Sequence, residues 1–204
     1  MTDEDSILRG QKRWYRFAYI LFWPFARIFY PYRFSGRENI PEGPAIICPL
    51  HSHMLDPIFV SLAMGFHHFV HHLAKAELLP VPLAGWFMRK AGSIFILRGE
   101  SDIEAFKKCI RALKAGEKIM IFPEGTRVHG EDHVDPKPGA VRLAAKLQVP
   151  ILPVYIPRNK KLFHTMDIVF GEPYMIERSR DADFDGLSRD LMDRIWMLGN
   201  RKNG

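Results

Sequence analysis

The chain has 204 residues, of which 47% are hydrophobic and 25% charged, and this composition predicts one globular domain with a buried core. Its two cysteines, Cys48 and Cys109, cannot form a disulfide framework, which fits a reducing, cytosolic setting. The net charge of +6 comes from the N-terminal part, because residues 6–37 contain seven Arg and Lys residues and no acid. The remainder is nearly neutral, which argues against a nucleic-acid-binding face.

The first predicted element is an amphipathic helical segment over residues 1–32 that is rich in aromatic side chains. At helical spacing, one face carries the basic residues Arg9, Lys12, Arg13 and Arg16. The opposite face carries the apolar residues Ile7, Trp14, Ala18, Leu21 and Phe25. The uncharged run over 17–26 contains Pro24 and is shorter than the roughly 20 apolar residues that a membrane-spanning helix needs. No signal-peptide cleavage pattern follows it.

Two interpretations of this segment are open. In the first, the segment is a membrane-interface anchor, with cations toward anionic headgroups and rings at the headgroup level. In the second, it is a helix packed on its own domain. The density of rings and the absence of acids favour the first. We therefore expect residues 1–32 to form a membrane-interface segment and residues 33–204 to form an α/β domain. The protein would then be peripheral, or monotopic, on the cytoplasmic face of the cell membrane.

Farther along the chain, short apolar runs predict buried strands at 45–48, 69–73, 94–97, 119–122, 151–156 and 168–170. Periodic apolar patterns predict helices at 102–115, 139–147 and 184–198. Strands that alternate with helices predict a single-domain α/β fold, in which a mixed, largely parallel central sheet has helices on both faces. The amphipathic aromatic segment precedes this domain. Ligands of such folds gather where strands end and loops begin.

One such place is the stretch CPLHSHMLDPIF at 48–59. A histidine can accept a proton near neutral pH, and a carboxylate that holds its other ring nitrogen fixes the tautomer that this needs. His51 and Asp56 can meet if the chain passes from a strand end into the first turn of a helix, and Asp56-Pro57 is a plausible helix start. The spacing therefore predicts a general base, His51, that is oriented by Asp56.

Three other interpretations compete with this one. In the first, Asp56 only caps a helix and His51 is a surface loop residue. In the second, His53 is the base, although its shorter separation from Asp56 makes the contact between the two side chains harder. In the third, His51, His53 and Asp56 bind zinc, with further imidazoles at 67–72. This interpretation is weaker because the run lacks the final adjacent His of familiar zinc hydrolases, and strand alternation would split the imidazoles of 67–72 between two faces.

Four motifs in order, HxxxxD at 51–56, GSIFILRG at 92–99, FPEGTRVHG at 122–130 and VPILPVYI at 149–156, resemble the glycerolipid acyltransferase family. Within it, the chain is most similar to bacterial 1-acylglycerol-3-phosphate (lysophosphatidate) acyltransferases. The resemblance implies that His51 is the base and Asp56 its partner. It also implies that the second and third motifs hold the glycerol-phosphate acceptor; their residues are Gly92, Phe95, Arg98, Glu124, Gly125, Thr126 and Arg127. The chain departs from the family at Leu50, commonly Asn, and at His53, commonly Ser.

The chemistry of these residues agrees with that expectation. Phosphate monoesters favour arginine, which binds them through two parallel hydrogen bonds, and both Arg98 and Arg127 follow predicted strands. We expect the two guanidinium groups at the same sheet edge as His51. Glu124 would brace one of them or bind the glycerol hydroxyl, and Lys75 is a further basic candidate.

The resemblance implies an enzyme of phospholipid biosynthesis that moves a fatty acyl group from acyl-CoA or acyl carrier protein to lysophosphatidate, giving phosphatidate. No nucleophile elbow is found, so direct transfer is expected, with no metal or organic cofactor. Three alternatives stay open: an acyltransferase for another lysolipid or polar-lipid acceptor, a zinc-dependent hydrolase, and a lipid-binding module without turnover.

Overall fold

The structure is a computed structural model that describes residues 3–97, 102–130, 132, 134–179 and 181–200. In these ranges the strands are β1 (Tyr32–Ser35), β2 (Ile46–Pro49), β3 (Val70–Lys75), β4 (Ile94–Ile96), β5 (Lys118–Met120), β6 (Ile151–Tyr155) and β7 (Met166–Phe170). The α-helices are α1 (Asp3–Phe29), α2 (Asp56–Met64), α3 (Ala84–Lys90), α4 (Ile103–Lys114), α5 (Gly139–Leu147) and α6 (Phe184–Asn200). Single turns of 3₁₀ helix occupy Arg37–Asn39 and Ala76–Leu78.

The strands form one sheet in the order β1-β7-β6-β2-β5-β3-β4. Strands β2 to β6 run parallel, whereas β7 is antiparallel to β6 and parallel to β1. The predicted fold class, a largely parallel mixed sheet with flanking helices, is confirmed. The six predicted strands and three predicted helices are present with ends shifted by at most two residues, whereas β1 and α3 were not predicted.

The centre of the sheet, β2 and β6, has no charged side chain. Ile46, Ile47, Ile151 and Leu152 have no exposed surface, because helices cover both faces of β2 and β6. Burial on both faces removes the alternation of polar and apolar residues that a half-exposed strand would show. Continuous apolar runs therefore marked these strands in the sequence.

The helices form two layers. Helix α1 contacts α2 and α3, while α5 contacts both α4 and α6. The neighbouring strands β2 and β5 feed different layers, since the chain continues from β2 to α2 and from β5 to α5. Loops that leave adjacent parallel strands in opposite directions open a crevice at the carboxyl edge of the sheet, which is where ligands of such folds bind.

Helix α1 has 27 residues and is therefore about 40 Å long. One side packs on the domain through buried Tyr15, Ala18 and Ala26, and the hydroxyl of Tyr15 donates to the carbonyl oxygen of His68 at 3.1 Å. The other side exposes large apolar residues, namely Phe17, Ile20, Leu21, Trp23, Phe25 and Ile28.

The predicted apolar face of α1 is thus divided. Ile7, Leu21 and Phe25 are exposed, but Ala18 is buried, and the Trp14 ring packs edge-on against Trp86 at a centroid distance of 5.0 Å. The interpretation as a helix packed on its own domain is confirmed for one side of α1, while the other side presents rings to the surroundings and its role as a membrane-interface anchor stays a prediction. Within the described part of the chain, no helix combines the length and the apolar character that crossing a bilayer requires.

Candidate active site

The candidate site lies where the three central strands end. His51 follows β2, Glu124 follows β5, and Arg158 and Lys160 follow β6. Since the order of these strands is β6-β2-β5 and all three are parallel, their carboxyl ends meet at one edge, beside the crevice between the two helical layers.

His51 and Asp56 are in contact, as predicted. The His51 Nδ1 atom lies 3.1 Å from Oδ2 of Asp56, and the same oxygen accepts the backbone N–H groups of Ser52 and His53 at 2.7 Å each. Asp56 is the first residue of α2, and Leu55, not Asp56, occupies the N-cap position. The alternative in which Asp56 is only a helix cap is therefore wrong.

The state of the Asp56 carboxyl group fixes the histidine tautomer. Burial alone would raise the pKa of Asp56, but the hydrogen bond with His51, the charge of Lys160 and the backbone N–H of His53 outweigh it and lower the pKa. A carboxylate can only accept hydrogen bonds, so Nδ1 of His51 carries the hydrogen and Nε2 carries the lone pair. The imidazole stacks on the Phe122 ring at a centroid distance of 4.0 Å, and 16% of its side chain stays exposed.

Two buried cations complete the site, and sequence reasoning missed both. Lys160 Nζ lies 2.8 Å from Oδ1 of Asp56, and Arg158 forms an ion pair with Glu124. All four side chains are at most 6% exposed. The run IPRNKK at 156–161 follows a buried strand, so the argument that selected Arg98 and Arg127 would also have selected these two cations.

Glu124 contacts two groups that were not predicted as its partners. Its carboxylate pairs with Arg158 and accepts the backbone N–H of His51 at 2.5 Å, so it braces Arg158 and the His51 main chain. Burial raises the pKa of Glu124, although both of these bonds oppose that rise. The carbonyl oxygen of His51 also accepts the N–H of Val128 at 2.8 Å, so one loop holds the His51 backbone on both sides.

The turn after Glu124 carries the remaining residues of the third motif. Gly125 has φ +63°, a conformation that glycine adopts without strain, and Thr126 and Arg127 are exposed. Burial lowers the pKa of His53, and the nearby charges of Lys160 and Arg127 lower it further. Arg127 immediately precedes Val128, whose backbone N–H donates to the carbonyl oxygen of His51 at 2.8 Å, so Arg127 lies on the loop that contacts the site.

The other predicted basic residues are placed less directly. Lys75 is exposed at the end of β3, two strands from β2, which at the usual strand spacing is about 10 Å. Arg98 lies outside the described residues, and β4, which precedes it, ends at Ile96. The structure thus brings His51, Asp56 and Glu124 together and leaves Lys75 at the same edge.

The competing interpretations of His53 find no geometric support. Its Nδ1 accepts the backbone N–H of Leu55 at 3.2 Å, and its ring lies alongside Phe59 at a centroid distance of 6.4 Å, so Asp56 holds the backbone of His53 and not its ring.

The histidines at 67–72 are separated as alternation predicted. His71 Nδ1 contacts the carbonyl oxygen of Gly92 at 2.6 Å, while His72 Nε2 contacts the hydroxyl of Ser61 at 2.8 Å. Over the described ranges, no group of three His, Cys, Asp or Glu side chains is placed to hold a metal ion.

The two departures from the family pattern differ in their surroundings. Leu50 is completely buried in the core and brings no polar group to His51. His53 lies at the mouth of the site, where its ring also approaches that of Tyr30 at a centroid distance of 6.2 Å.

These features define an α/β protein with a braced imidazole at the carboxyl edge of its sheet. The sequence model of the Acyltransferase family matches residues 31–157, which is more than half of the chain, and the chain belongs to this family.

Known proteins are similar to it at several levels. A 1-acyl-sn-glycerol-3-phosphate acyltransferase of Pseudomonas aeruginosa is 34% identical over 146 residues, which cover 70% of this chain and 55% of that protein. A lyso-ornithine lipid O-acyltransferase of the same organism is 45% identical over 60 residues, which cover 29% of this chain and 23% of that protein. The match spans 39–55% of the length of three curated relatives, so the chain corresponds to about half of those proteins or less.

The fold is also known. The crystal structure of the 1-acyl-sn-glycerophosphate acyltransferase from Thermotoga maritima has a TM-score of 0.68 and 22% sequence identity with this chain, over 99% of this chain and 84% of that chain. The two proteins share the α/β architecture, including the N-terminal helix.

Proposed function

We propose that this protein transfers a fatty acyl group from a thioester donor, acyl-CoA or acyl carrier protein, to the free hydroxyl of 1-acylglycerol-3-phosphate, giving phosphatidate for phospholipid biosynthesis. One observation carries the proposal. His51 donates from Nδ1 to Asp56, and among the described residues its Nε2 has no hydrogen-bond partner, so a lone pair is available for the proton of a substrate hydroxyl. Family membership supports acyl transfer as the reaction.

The chemistry follows from this tautomer. Nε2 of His51 accepts the hydroxyl proton as the oxygen bonds to the thioester carbonyl carbon, and Asp56 stabilises the imidazolium that forms. The carbon–sulfur bond then breaks, and the leaving thiolate takes the proton from the imidazolium. Both thiols of the chain, Cys48 and Cys109, are buried, and burial raises the pKa of each, which supports direct transfer without a cysteine acyl-enzyme.

The acceptor's phosphate would bind at the exposed turn after β5. Arg127 is exposed and immediately precedes Val128, which is hydrogen-bonded to the His51 backbone, while Thr126 and the Gly125 backbone shape the same turn. A guanidinium group can hold a phosphate through two hydrogen bonds, which would orient the hydroxyl toward His51. We assign Arg98 and Lys75 to the same role on the basis of the family motifs, and Glu124 to holding the loop in place.

We further propose that residues 1–32 bind the cytoplasmic face of the cell membrane, while residues 33–204 carry out catalysis. The apolar half of α1, from Phe17 to Phe29, ends beside the site, because the Phe29 and Phe163 rings lie 5.7 Å apart at the loop that carries Lys160. Leu162 and Phe163 are exposed in this loop. A lipid leaflet that covered these side chains would bring its lysolipids to the mouth of the site.

A second acceptor class has one specific observation in its favour. The lyso-ornithine lipid acyltransferase of Pseudomonas aeruginosa matches this chain at higher identity than the lysophosphatidate enzyme, although over a shorter stretch. A zwitterionic amino-acid headgroup would need fewer cations than a phosphate, and His53 in place of the usual Ser changes the polar groups at the mouth.

The function is tested with labelled acyl-CoA and acyl carrier protein as donors, and with lysophosphatidate and lyso-ornithine lipid as acceptors. We expect labelled phosphatidate from the wild type and a loss of about 10³-fold in the His51→Ala variant. The His67→Ala variant, which removes an exposed imidazole away from the site, should retain activity, and so should protein treated with a chelator.

Each other outcome has a defined meaning. Equal activity of the His51→Ala variant would contradict the assignment of the base, and selective loss in a His53→Ala variant would transfer the role to that ring. Preference for lyso-ornithine lipid would replace the acceptor, and loss of activity on chelation would favour the zinc-dependent alternative. Binding of lysolipid without turnover would leave only a lipid-binding module.

Membrane binding is tested by sedimentation with anionic liposomes. The double variant Leu21→Ser/Phe25→Ser removes two exposed side chains, and we expect binding about 100-fold weaker, because burying each contributes roughly 1.5 kcal/mol or more. The control, Met175→Ser/Met197→Ser, removes two exposed apolar side chains elsewhere and should bind like the wild type. Equal binding by both double variants would contradict the anchor.

A further inference from the structure

The loop after β6 places a lysine underneath the candidate base. The Lys160 side chain is 2% exposed, and its ammonium contacts three oxygens: Asp56 Oδ1 at 2.8 Å, Ser52 Oγ at 2.8 Å and the Pro157 carbonyl at 2.6 Å. The ammonium donates hydrogen bonds to Ser52 and Pro157 and forms an ion pair with Asp56. Lys160 thus faces partners inside the protein and is shielded from a substrate phosphate by its burial.

The two oxygens of Asp56 have separate partners. Oδ2 accepts from the loop that contains His51, through Nδ1 of His51 and the N–H groups of Ser52 and His53, whereas Oδ1 faces Lys160. A carboxylate that is held from both sides cannot rotate about its last bond without losing one set of contacts. Lys160 therefore helps to fix the angle between the carboxylate plane and the imidazole.

Lys160 also compensates the buried charge of Asp56. The Asp56 side chain has no exposed surface, and a buried carboxylate without a cation would favour its protonated form. Burial lowers the pKa of Lys160, while the carboxylates of Asp56 and Glu124 oppose that shift. The pair thus keeps Asp56 ionised, which is the state in which it accepts the Nδ1 hydrogen of His51.

We propose that Lys160 is a positioning residue for acyl transfer, which holds Asp56 ionised and correctly turned so that His51 keeps its lone pair at Nε2. Ser52 belongs to the same arrangement, because its hydroxyl accepts from Lys160 and donates to the carbonyl oxygen of Arg158 at 3.1 Å. This inference rests on the proposed function, in which His51 is the base. Lys160 acts through Asp56 and touches no substrate.

The test compares Lys160→Met, which keeps most of the length of the side chain and removes its charge, with Lys161→Met, which makes the same change at the next residue, an exposed one. We expect kcat to fall about 10- to 100-fold in Lys160→Met, by analogy with the loss found when a hydrogen-bond partner of a metal ligand is removed. The KM for the acceptor should stay within about twofold. Lys161→Met should match the wild type in both constants.

The pH profile separates positioning from general destabilisation. Without Lys160, the buried Asp56 becomes protonated at higher pH, so the acidic limb of the kcat/KM profile should move upward by about one pH unit. The other charged or titratable groups that face this pair, His51, His53, Glu124 and Arg158, and the Arg127 and His129 charges that act on His53, are the same in both variants. Assays run well below each variant's unfolding temperature remove the contribution of stability.

Chemical rescue gives an independent readout. Lys160 is one of the residues that line a cavity of about 270 Å³, and we expect a small amine to reach the space that a Lys160→Ala variant leaves through this cavity. Added ethylammonium should restore at least tenfold activity to Lys160→Ala and none to His51→Ala.

The possible results separate the inference from the function. If the wild type is active and His51→Ala is not, an unchanged kcat and pH profile in Lys160→Met would overturn the positioning role while the proposed function stands. A folded Lys160→Ala variant that loses activity and does not respond to ethylammonium would also overturn it. A wild type that transfers no acyl group to any acceptor, or an active His51→Ala variant, would overturn the proposed function and this inference with it.

Discussion

Two groups of polar side chains surround His51 in very different environments. The buried group, here called the floor, consists of Asp56, Glu124, Arg158 and Lys160. The exposed group, here called the rim, consists of Thr126 and Arg127. In the floor every charge has a partner of opposite sign within the protein, whereas Arg127 is open to solvent and to ligands. The difference shows that the number of charges near a site does not indicate how many of them can bind a substrate.

The physical cost of burial explains this division. A charge taken out of water requires a partner and hydrogen bonds, and the floor supplies both from the ends of β2, β5 and β6. An exposed cation is stabilised by water, and its attraction to an anion is screened by salt. The floor is therefore suited to holding geometry and the rim to meeting a charged headgroup. Three substitutions test this assignment.

The largest effect is expected for Asp56→Asn, which keeps the shape of the side chain at position 56 and removes its negative charge. The amide no longer fixes Nδ1 of His51 as the protonated nitrogen, and Lys160 loses its counter-charge. We expect kcat to fall about 10³- to 10⁴-fold, with a folded protein by circular dichroism. A loss of less than tenfold would show that the tautomer of His51 does not depend on Asp56.

The next effect is on stability. Arg158→Leu leaves the Glu124 carboxylate buried without a cation, and we expect the free energy of unfolding in urea to fall by about 3–5 kcal/mol. Because the pKa of Glu124 is already raised, the unpaired carboxyl group should bind a proton, so the loss should be smaller at pH 5 than at pH 8.

The matched control for this change is the double variant Glu124→Gln/Arg158→Leu. Its neutral amide should recover part of the lost stability, since no charge is left buried. A floor in which Arg158→Leu costs less than about 1 kcal/mol would contradict the view that this ion pair holds the loop over His51.

The smallest effect is expected at the rim. Arg127→Ala should raise the KM for lysophosphatidate about tenfold, as expected for one lost charge-assisted hydrogen bond of roughly 1.5 kcal/mol, and leave the free energy of unfolding nearly unchanged. The KM of the wild type should rise with salt and that of the variant less so.

Arg178→Ala, at an exposed arginine outside the site, serves as the control for charge alone. It should leave the KM for lysophosphatidate and the free energy of unfolding unchanged. If Arg127→Ala destabilised the protein as much as Arg158→Leu, the distinction between floor and rim would fail.

The same distinction explains what the sequence could and could not predict. The contact of His51 with Asp56 was predictable because the two are five residues apart and the intervening chain turns locally from a strand into a helix. The central strands were predictable because burial on both faces leaves continuous apolar runs. These features depend on neighbours along the chain.

The floor cations were not predicted because their burial depends on residues far away in the sequence. Lys160 reaches Asp56 and Arg158 reaches Glu124 across 104 and 34 positions, and an isolated arginine or lysine is far more often exposed. Glu124 was recognised from the motif, but its partner could not be. The edge strand β1 was missed for a related reason, since three of its four residues are exposed and its pairing with β7 spans more than 130 positions.

The backbone bonds of His51 to the loop after β5 have a mechanical consequence. The Glu124 carboxylate accepts the backbone N–H of His51, and the N–H of Val128 donates to the His51 carbonyl oxygen. The short stretch that contains Arg127 is therefore hydrogen-bonded at both ends to the backbone of His51. We therefore expect the backbone of Arg127 and that of His51 to move together, so that the distance between them stays nearly constant when this edge of the sheet moves. A lipid headgroup bound by Arg127 would then be held at a nearly fixed distance from the His51 imidazole.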